Sequence, residues 1–144
     1  MRGVSNKGSG LVAMHLTLEW QGGMKFENAA GSPAIQLQSS MPGVTSPPEA
    51  LAYAAMGCMA MDVVHVLEKG QHDLGALVVH FTGKRAPTPP RRFTSMVMHF
   101  ELTGTVDAAV VERAIELSRT KYCSVWHTIR ADVTLQTSFS IHGT

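Results

Sequence analysis

Two cysteines separated by 65 positions are the residues of this chain best suited to chemistry. Cys58 lies in an apolar stretch with Asp62 four residues further on, and Cys123 closely follows Lys121. Two distant cysteines make no disulfide scaffold, and a structural zinc site needs four ligands at closer spacing. What two such cysteines can form is a redox pair.

The local surroundings leave the role of each cysteine open. Apolar neighbours and the carboxylate of Asp62 raise the pKa of a thiol, which favours an inert Cys58 unless the fold supplies a cation. The candidates for that cation are Lys25, Arg85, Arg91, Arg92 and Arg130. Neighbouring cations favour a Cys123 thiolate, whereas a helix C-terminus opposes one. If the helix continued, Cys123 and His127 could act as nucleophile and base; packing or solvent contact is the simpler role for His127.

Glu49 has a complete structural explanation and an open catalytic one. Ser46 followed three residues later by Glu49 is a capping box, which predicts a helix that begins here and ends near Gly70. The same carboxylate, entering the helix that carries Cys58, could also orient a cation toward the thiolate.

The residues before this helix have the alternating pattern of strands. Apolar and polar residues alternate over 11–20, continue over 24–28 after a Gly-Gly turn, and alternate again over 35–38. The first third of the chain is therefore predicted to be a β-meander of three strands.

Two further strands form a hairpin whose register can be derived. Their apolar faces match when paired residue numbers add up to 179, which pairs Phe81 with Met98, Val79 with Phe100 and Leu77 with Leu102. The same register sets His80 opposite His99 on the other face. Two imidazoles without a third ligand more often face solvent or a partner surface than hold a metal.

The hairpin loop, residues 85–92, contains three arginines and three prolines. It is interpreted as a solvated loop or, more specifically, as a basic loop that guards an active site. After it, Thr105 or Asp107 can cap a second helix that ends near Cys123, and residues 132–141 alternate as a closing strand. The predicted fold is α+β with the element order β-β-β-α-β-β-α-β.

Length and charge exclude several classes of protein. We expect a single domain over residues 11–144 after a flexible Gly/Ser-rich tail over residues 1–10, without a secretory signal. The net charge of +1, from 12 Lys+Arg and 11 Asp+Glu, argues against a nucleic-acid partner. The longest apolar run stops at Asp62, short of the roughly 20 residues of a membrane span. A cytoplasmic, thiol-reducing location follows as the expectation.

Taken together, these motifs resemble the OsmC/Ohr superfamily of osmotically inducible and organic hydroperoxide resistance proteins. The resemblance rests on Gly22-Gly23, the capping box from Ser46 to Glu49, Gly57-Cys58 and the stretch from Lys121 to Val125. It covers residues 16–141. It implies an intertwined homodimer in which two central helices pack on antiparallel sheets, with active sites near the subunit boundary.

The resemblance also implies a chemistry. In the peroxidase members the residue matching Cys58 attacks an organic hydroperoxide and becomes a sulfenic acid. The residue matching Cys123 then forms a disulfide that a dithiol reductant reopens. The residue nearest their acidic group is Glu49. No cofactor and no metal are implied.

The sequence departs from the peroxidase pattern in two places. Those proteins carry an arginine after the first Gly-Gly turn, where this chain has Met24 and Lys25, and their acidic residue falls on Pro48, one before Glu49. The pattern is closer to the less characterised OsmC-like branch. The alternative function is therefore a dimer that binds a small apolar ligand without peroxidase activity.

Overall fold

A long apolar helix packed on one sheet forms the centre of the molecule. The computed structural model describes residues 14–23, 26–28 and 45–143. The five strands have the order β2-β1-β3-β4-β5 across the sheet. Their bounds are Met14–Trp20 for β1, Phe26–Asn28 for β2, Asp73–Arg85 for β3, Phe93–Thr105 for β4 and Thr134–His142 for β5.

The sheet is mixed, which corrects the expectation of antiparallel sheets. The pairs from β2 to β4 are antiparallel, but β4 and β5 run in parallel. The helices that connect β4 to β5 return the chain to the end of the sheet where β4 begins. Such a crossover makes the next strand parallel to β4. The α+β fold and the predicted first two strands are confirmed. The predicted third strand, the N-terminal tail and Lys25 lie outside the described residues.

The register predicted for the central hairpin is confirmed. From Ala76 to Lys84 each residue of β3 pairs with the residue of β4 that completes the sum of 179, including His80 with His99. The register shifts by one at either end of this stretch. The match follows from the period of two in a strand, because a slip by one residue would turn the apolar faces away from the core.

Helix α1, Pro47–Lys69, begins at the predicted capping box. The Ser46 N–H donates to Glu49 Oε1 at 2.8 Å, and the Glu49 N–H donates to Ser46 Oγ at 3.3 Å. The helix ends before Gly70, as predicted. Its sheet-facing residues are fully or almost fully buried: Ala52, Ala55, Met56, Met59, Ala60, Val63, Val64 and Leu67.

The same helix is long and apolar enough to cross a membrane, so the presence of Asp62 does not by itself exclude a span. Half of its most apolar stretch is, however, buried inside the domain. Helix α1 thus has the burial of a core helix.

After β4 the chain forms two helices joined by a distorted turn. Of the two predicted caps, Asp107 is the one used, because its Oδ1 accepts the Ala109 N–H at 2.7 Å. Helix α2 spans Ala108–Leu117, a π-helical turn spans Ser118–Tyr122, and helix α3 spans Ser124–Thr128. The π-helical turn lies against α1 and carries the chain to Cys123.

Candidate active site

The two cysteines meet where the π-helical turn packs on the middle of α1. The two thiols are close enough that Cys58 raises the pKa of the Cys123 thiol. Cys123 is completely buried, whereas Cys58 is partly exposed. The Cys58 Sγ also lies 3.9 Å from the Ser124 hydroxyl oxygen. Folding therefore brings together two sulfur atoms that are 65 positions apart in the chain.

Cys123 lies at a break between helices, where it ends the π-helical turn that continues α2 and begins α3. The backbone there is extended, with φ of −72° and ψ of 104°, and the residue is the N-cap of α3. Its Sγ accepts the Trp126 N–H at 3.2 Å. The helix C-terminus that the sequence predicted near Cys123 is confirmed, and it opposes a thiolate. The N–H contact has the opposite electrostatic sign.

Burial nevertheless keeps Cys123 protonated. Loss of hydration raises the pKa of its thiol from 9.0 to about 12, the interaction with Cys58 and the charge of Asp62 act in the same direction, and the Trp126 N–H opposes them. The cation Lys121 lies over the Tyr122 ring, 5.5 Å from its centroid. The expectation that neighbouring cations favour a Cys123 thiolate is therefore wrong.

Asp62 and Ser118 link the two elements that carry the cysteines. The buried Ser118 hydroxyl donates to Asp62 Oδ2 at 2.7 Å, one helical turn beyond Cys58. This contact ties the first residue of the π-helical turn to α1. Asp62 thus has a partner that the sequence did not indicate.

His127 does not serve as a base for Cys123. Its Nδ1 donates to the Cys123 carbonyl oxygen at 2.7 Å, so the ring contacts the backbone and not the sulfur. The pair is a local helix contact within the turn of α3. The nucleophile and base arrangement considered for these two residues is absent.

Glu49 acts as a helix cap in this structure. Its carboxylate accepts the Ser46 N–H, and none of the ion pairs formed by the described residues involves it. The structural explanation from the sequence accounts for every polar contact that this side chain makes here.

A groove of about 730 Å³ opens beside the two cysteines. Ser124, whose hydroxyl is next to Cys58, forms part of its wall, as do Leu51 and Ala54 on the same face of α1 as Cys58. Four of the five cations considered for Cys58 line it: Arg85, Arg91, Arg92 and Arg130. The hairpin loop is thus a basic loop on the wall of this groove; the fifth cation, Lys25, lies outside the described residues.

The histidines of the hairpin are on the opposite, polar face of the sheet. His80 Nε2 lies 2.9 Å from Glu101 Oε1, and His99 contacts the hydroxyl oxygens of Ser138 and Ser140 at 2.7 and 3.1 Å. Within residues 14–23, 26–28 and 45–143, no group of three or more potential ligands could hold a metal ion. The two rings take part in exposed hydrogen bonds.

Sequence reasoning missed three contacts of this site. The Ser124 hydroxyl, the Trp126 N–H and the pair formed by Ser118 and Asp62 all depend on the π-helical turn. A hydroxyl residue directly after a cysteine was the only local sign of a helix start there.

Comparison with known proteins places the chain in a family. The profile described as "OsmC: OsmC-like protein" matches residues 40–138. Protein YhfA of Escherichia coli strain K12 is 36% identical over 131 residues, which cover 89% of this chain and 98% of YhfA.

Solved structures with the same fold include an OsmC-like protein and an organic hydroperoxide resistance protein. An OsmC-like protein from Mycoplasma pneumoniae has a TM-score of 0.66 at 11% identity and covers 92% of this chain and 96% of its own. An organic hydroperoxide resistance protein OsmC from Legionella pneumophila has a TM-score of 0.59 at 21% identity, with 90% and 96% covered. The profile match and the identity to YhfA agree with the architecture, and the chain belongs to the OsmC-like family.

Proposed function

We propose that this protein is a thiol-dependent peroxidase that reduces organic hydroperoxides through Cys58 and Cys123. The observation that carries the proposal is the proximity of the two thiols next to a largely apolar groove. An apolar wall suits the alkyl part of such a substrate. The description of the Legionella protein as a hydroperoxide resistance protein supports the same chemistry.

The different burial of the two cysteines supports a separate role for each. Cys58 is partly exposed and contacts a residue of the groove wall, so it is the peroxide-reacting residue. Cys123 is buried and its raised pKa keeps it as a thiol, which suits the residue that reacts second.

The proposed reaction has three steps. The Cys58 thiolate attacks one oxygen of the O–O bond, which breaks and releases the alkoxide, protonated to an alcohol, while the sulfur is oxidised to a sulfenic acid. The Cys123 thiol then attacks this sulfur, and the disulfide forms with loss of water. An external dithiol donates two electrons and restores both thiols.

Stopped-flow oxidation of the reduced protein by cumene hydroperoxide tests this function. We expect oxidation faster than that of free cysteine, lost in Cys58→Ser. Cys123→Ser should still react once and accumulate a sulfenic acid that dimedone traps. A wild-type rate no greater than that of free cysteine would sink the proposal.

The groove itself favours a second candidate, the binding of a small apolar ligand without turnover. Most of its wall is apolar and its volume suits such a molecule. Native mass spectrometry that shows a co-purifying apolar ligand in both wild type and Cys58→Ser, combined with no peroxide reaction, would favour this alternative.

We also propose that the chain functions as a homodimer in the cytoplasm. Leu51 on α1 and Tyr122 in the π-helical turn are large apolar side chains with 42% and 53% of their surface exposed. They flank the site and would be covered by a second copy. Sedimentation equilibrium should give twice the chain mass of 15.5 kDa, and a monomer at micromolar concentration would contradict this.

A further inference from the structure

The charge of the groove is not explained by an apolar substrate alone. Four arginines line it, whereas no aspartate or glutamate is among the described residues of its wall. Arg92 and Arg130 both pair with Asp132, at 3.5 and 2.8 Å. This single carboxylate therefore balances only one of the four charges.

Arg85 and Arg91 have no such partner. Among the described residues neither forms an ion pair, although both are partly buried. Partial burial next to apolar surface makes an uncompensated charge unfavourable, and an anion in the groove would relieve this. Guanidinium groups suit carboxylate and phosphate in particular, because their planar donors match the paired oxygens of both.

The rest of the groove has the opposite character. Its apolar wall comes from α1, α3, the hairpin and the segment before β5, and includes Leu51, Ala54, Phe93, Met96, Val125 and Ile129. A volume of about 730 Å³ is within the range of sites that enclose a small organic molecule. One groove thus combines cationic side chains with an apolar wall.

We propose that the groove binds an amphipathic anion, a short apolar chain with one carboxylate or phosphate head group. The head contacts the guanidinium groups of Arg85 and Arg91, and the chain lies along the apolar wall toward Ser124 and Cys58. This assignment rests on the proposed function in one respect only, that a hydroperoxide of such a molecule would be the substrate. Binding itself requires no reaction at sulfur.

Isothermal titration calorimetry on Cys58→Ser tests the binding directly. The probes are octanoate, octyl phosphate, 1-octanol and octylamine, which share a chain and differ in the head group. We expect at least one of the two anions to bind roughly tenfold or more tightly than octanol, and octylamine to bind most weakly. The better anion identifies the head group. Equal affinity for octanol and both anions would overturn the proposal.

Charge-removing variants test the assigned residues. Arg85→Gln and Arg91→Gln should each weaken binding of the preferred anion about tenfold and leave octanol binding unchanged, which also verifies that the groove remains folded. Arg113→Gln is the matched control, since Arg113 is exposed on α2 and is not part of this groove. An equal loss of anion binding in Arg113→Gln would mean that only net charge matters and would overturn the assignment.

The two proposals fail separately. Cumene hydroperoxide has no charge, so its reaction with wild-type protein reports on the thiols without the arginines. Octanoate and octyl phosphate have no O–O bond, so their binding to Cys58→Ser reports on the arginines without the thiols. If both proposals hold, the preferred anion should also slow oxidation of the wild type by cumene hydroperoxide.

Discussion

Cys58 and Cys123 have the same side chain but different surroundings, and the difference arises from single contacts. Cys58 has partial exposure and a hydroxyl neighbour, whereas Cys123 is buried, with Cys58 and the carboxylate of Asp62 raising the pKa of its thiol. The sequence indicated the acidic neighbour of Cys58 but not the burial of Cys123. Burial depends on how α1 and the π-helical turn pack, which no local pattern encodes.

The raised pKa of Cys123 predicts a specific alkaline loss of stability. The folded state holds the thiol proton up to about pH 12, whereas the unfolded thiol loses it near pH 9. The stabilisation is therefore fully present below pH 9 and falls as the pH rises toward 12. Urea unfolding of the reduced protein from pH 8 to 11 should show a steeper decline for wild type than for Cys123→Ser.

Cys58→Ser is the control for this pH dependence, because it removes a thiol and keeps the buried one. It should retain most of the wild-type slope, because burial, the largest cause of the raised Cys123 pKa, remains. Parallel slopes for wild type and Cys123→Ser would show that the buried thiol does not contribute.

Glu49→Gln separates the two roles of this residue. Glutamine keeps the reciprocal contact of the capping box, so we expect the free energy of unfolding and the rate of oxidation by cumene hydroperoxide to remain near wild type. Glu49→Ala should lose about 0.3–1.5 kcal/mol of stability. A tenfold slower oxidation of Glu49→Gln at unchanged stability would instead assign the carboxylate a role in orienting a cation.

Regular elements followed from the sequence where a period or a cap defined them. The capping box placed the start of α1, and the alternation in β3 and β4 fixed their register to the residue. The π-helical turn did not follow, since residues 118–122 have ordinary helical composition. The parallel addition of β5 also depends on tertiary packing, because alternation gives no strand direction.

The contact between Ser118 and Asp62 should be important for the π-helical turn. Ser118→Ala removes the donor and leaves Asp62 Oδ2 without this partner, so we expect a loss of about 1–3 kcal/mol in urea unfolding. Because the turn positions Cys123, formation of the disulfide after one equivalent of peroxide should also slow.

Thr120→Ala is the matched control for this element. The Thr120 hydroxyl belongs to the same turn but is exposed. It donates to the carbonyl oxygen of Glu116, four residues earlier, and this contact does not involve α1. Its removal should change stability by less than about 0.5 kcal/mol. Similar effects of both variants would show that the link to α1 is not what holds the turn.

The groove and the thiol pair are features of the whole molecule. The arginines of the hairpin loop, Arg130 before β5 and the α1 residues Leu51 and Ala54 are far apart in the chain and line one groove only in the folded molecule. The sequence identified these arginines only as candidates for a cation near Cys58 and did not indicate where the fold places them. The family resemblance indicated the pairing of Cys58 with Cys123, and spacing alone could not, because distant cysteines carry no pairing information.

A disulfide between Cys58 and Cys123 would close a loop that contains the central hairpin and α2. In the chain-entropy description, a loop of this length restricts the unfolded chain by about 4 kcal/mol, and strain in the folded state reduces the gain. After one equivalent of cumene hydroperoxide we therefore expect the protein to unfold at higher urea concentration than its reduced form. Cys123→Ser should show no such shift. A non-reducing gel of the oxidised wild type should show no covalent dimer. A disulfide between two chains, or an oxidised protein no more stable than the reduced one, would contradict a bond within one chain.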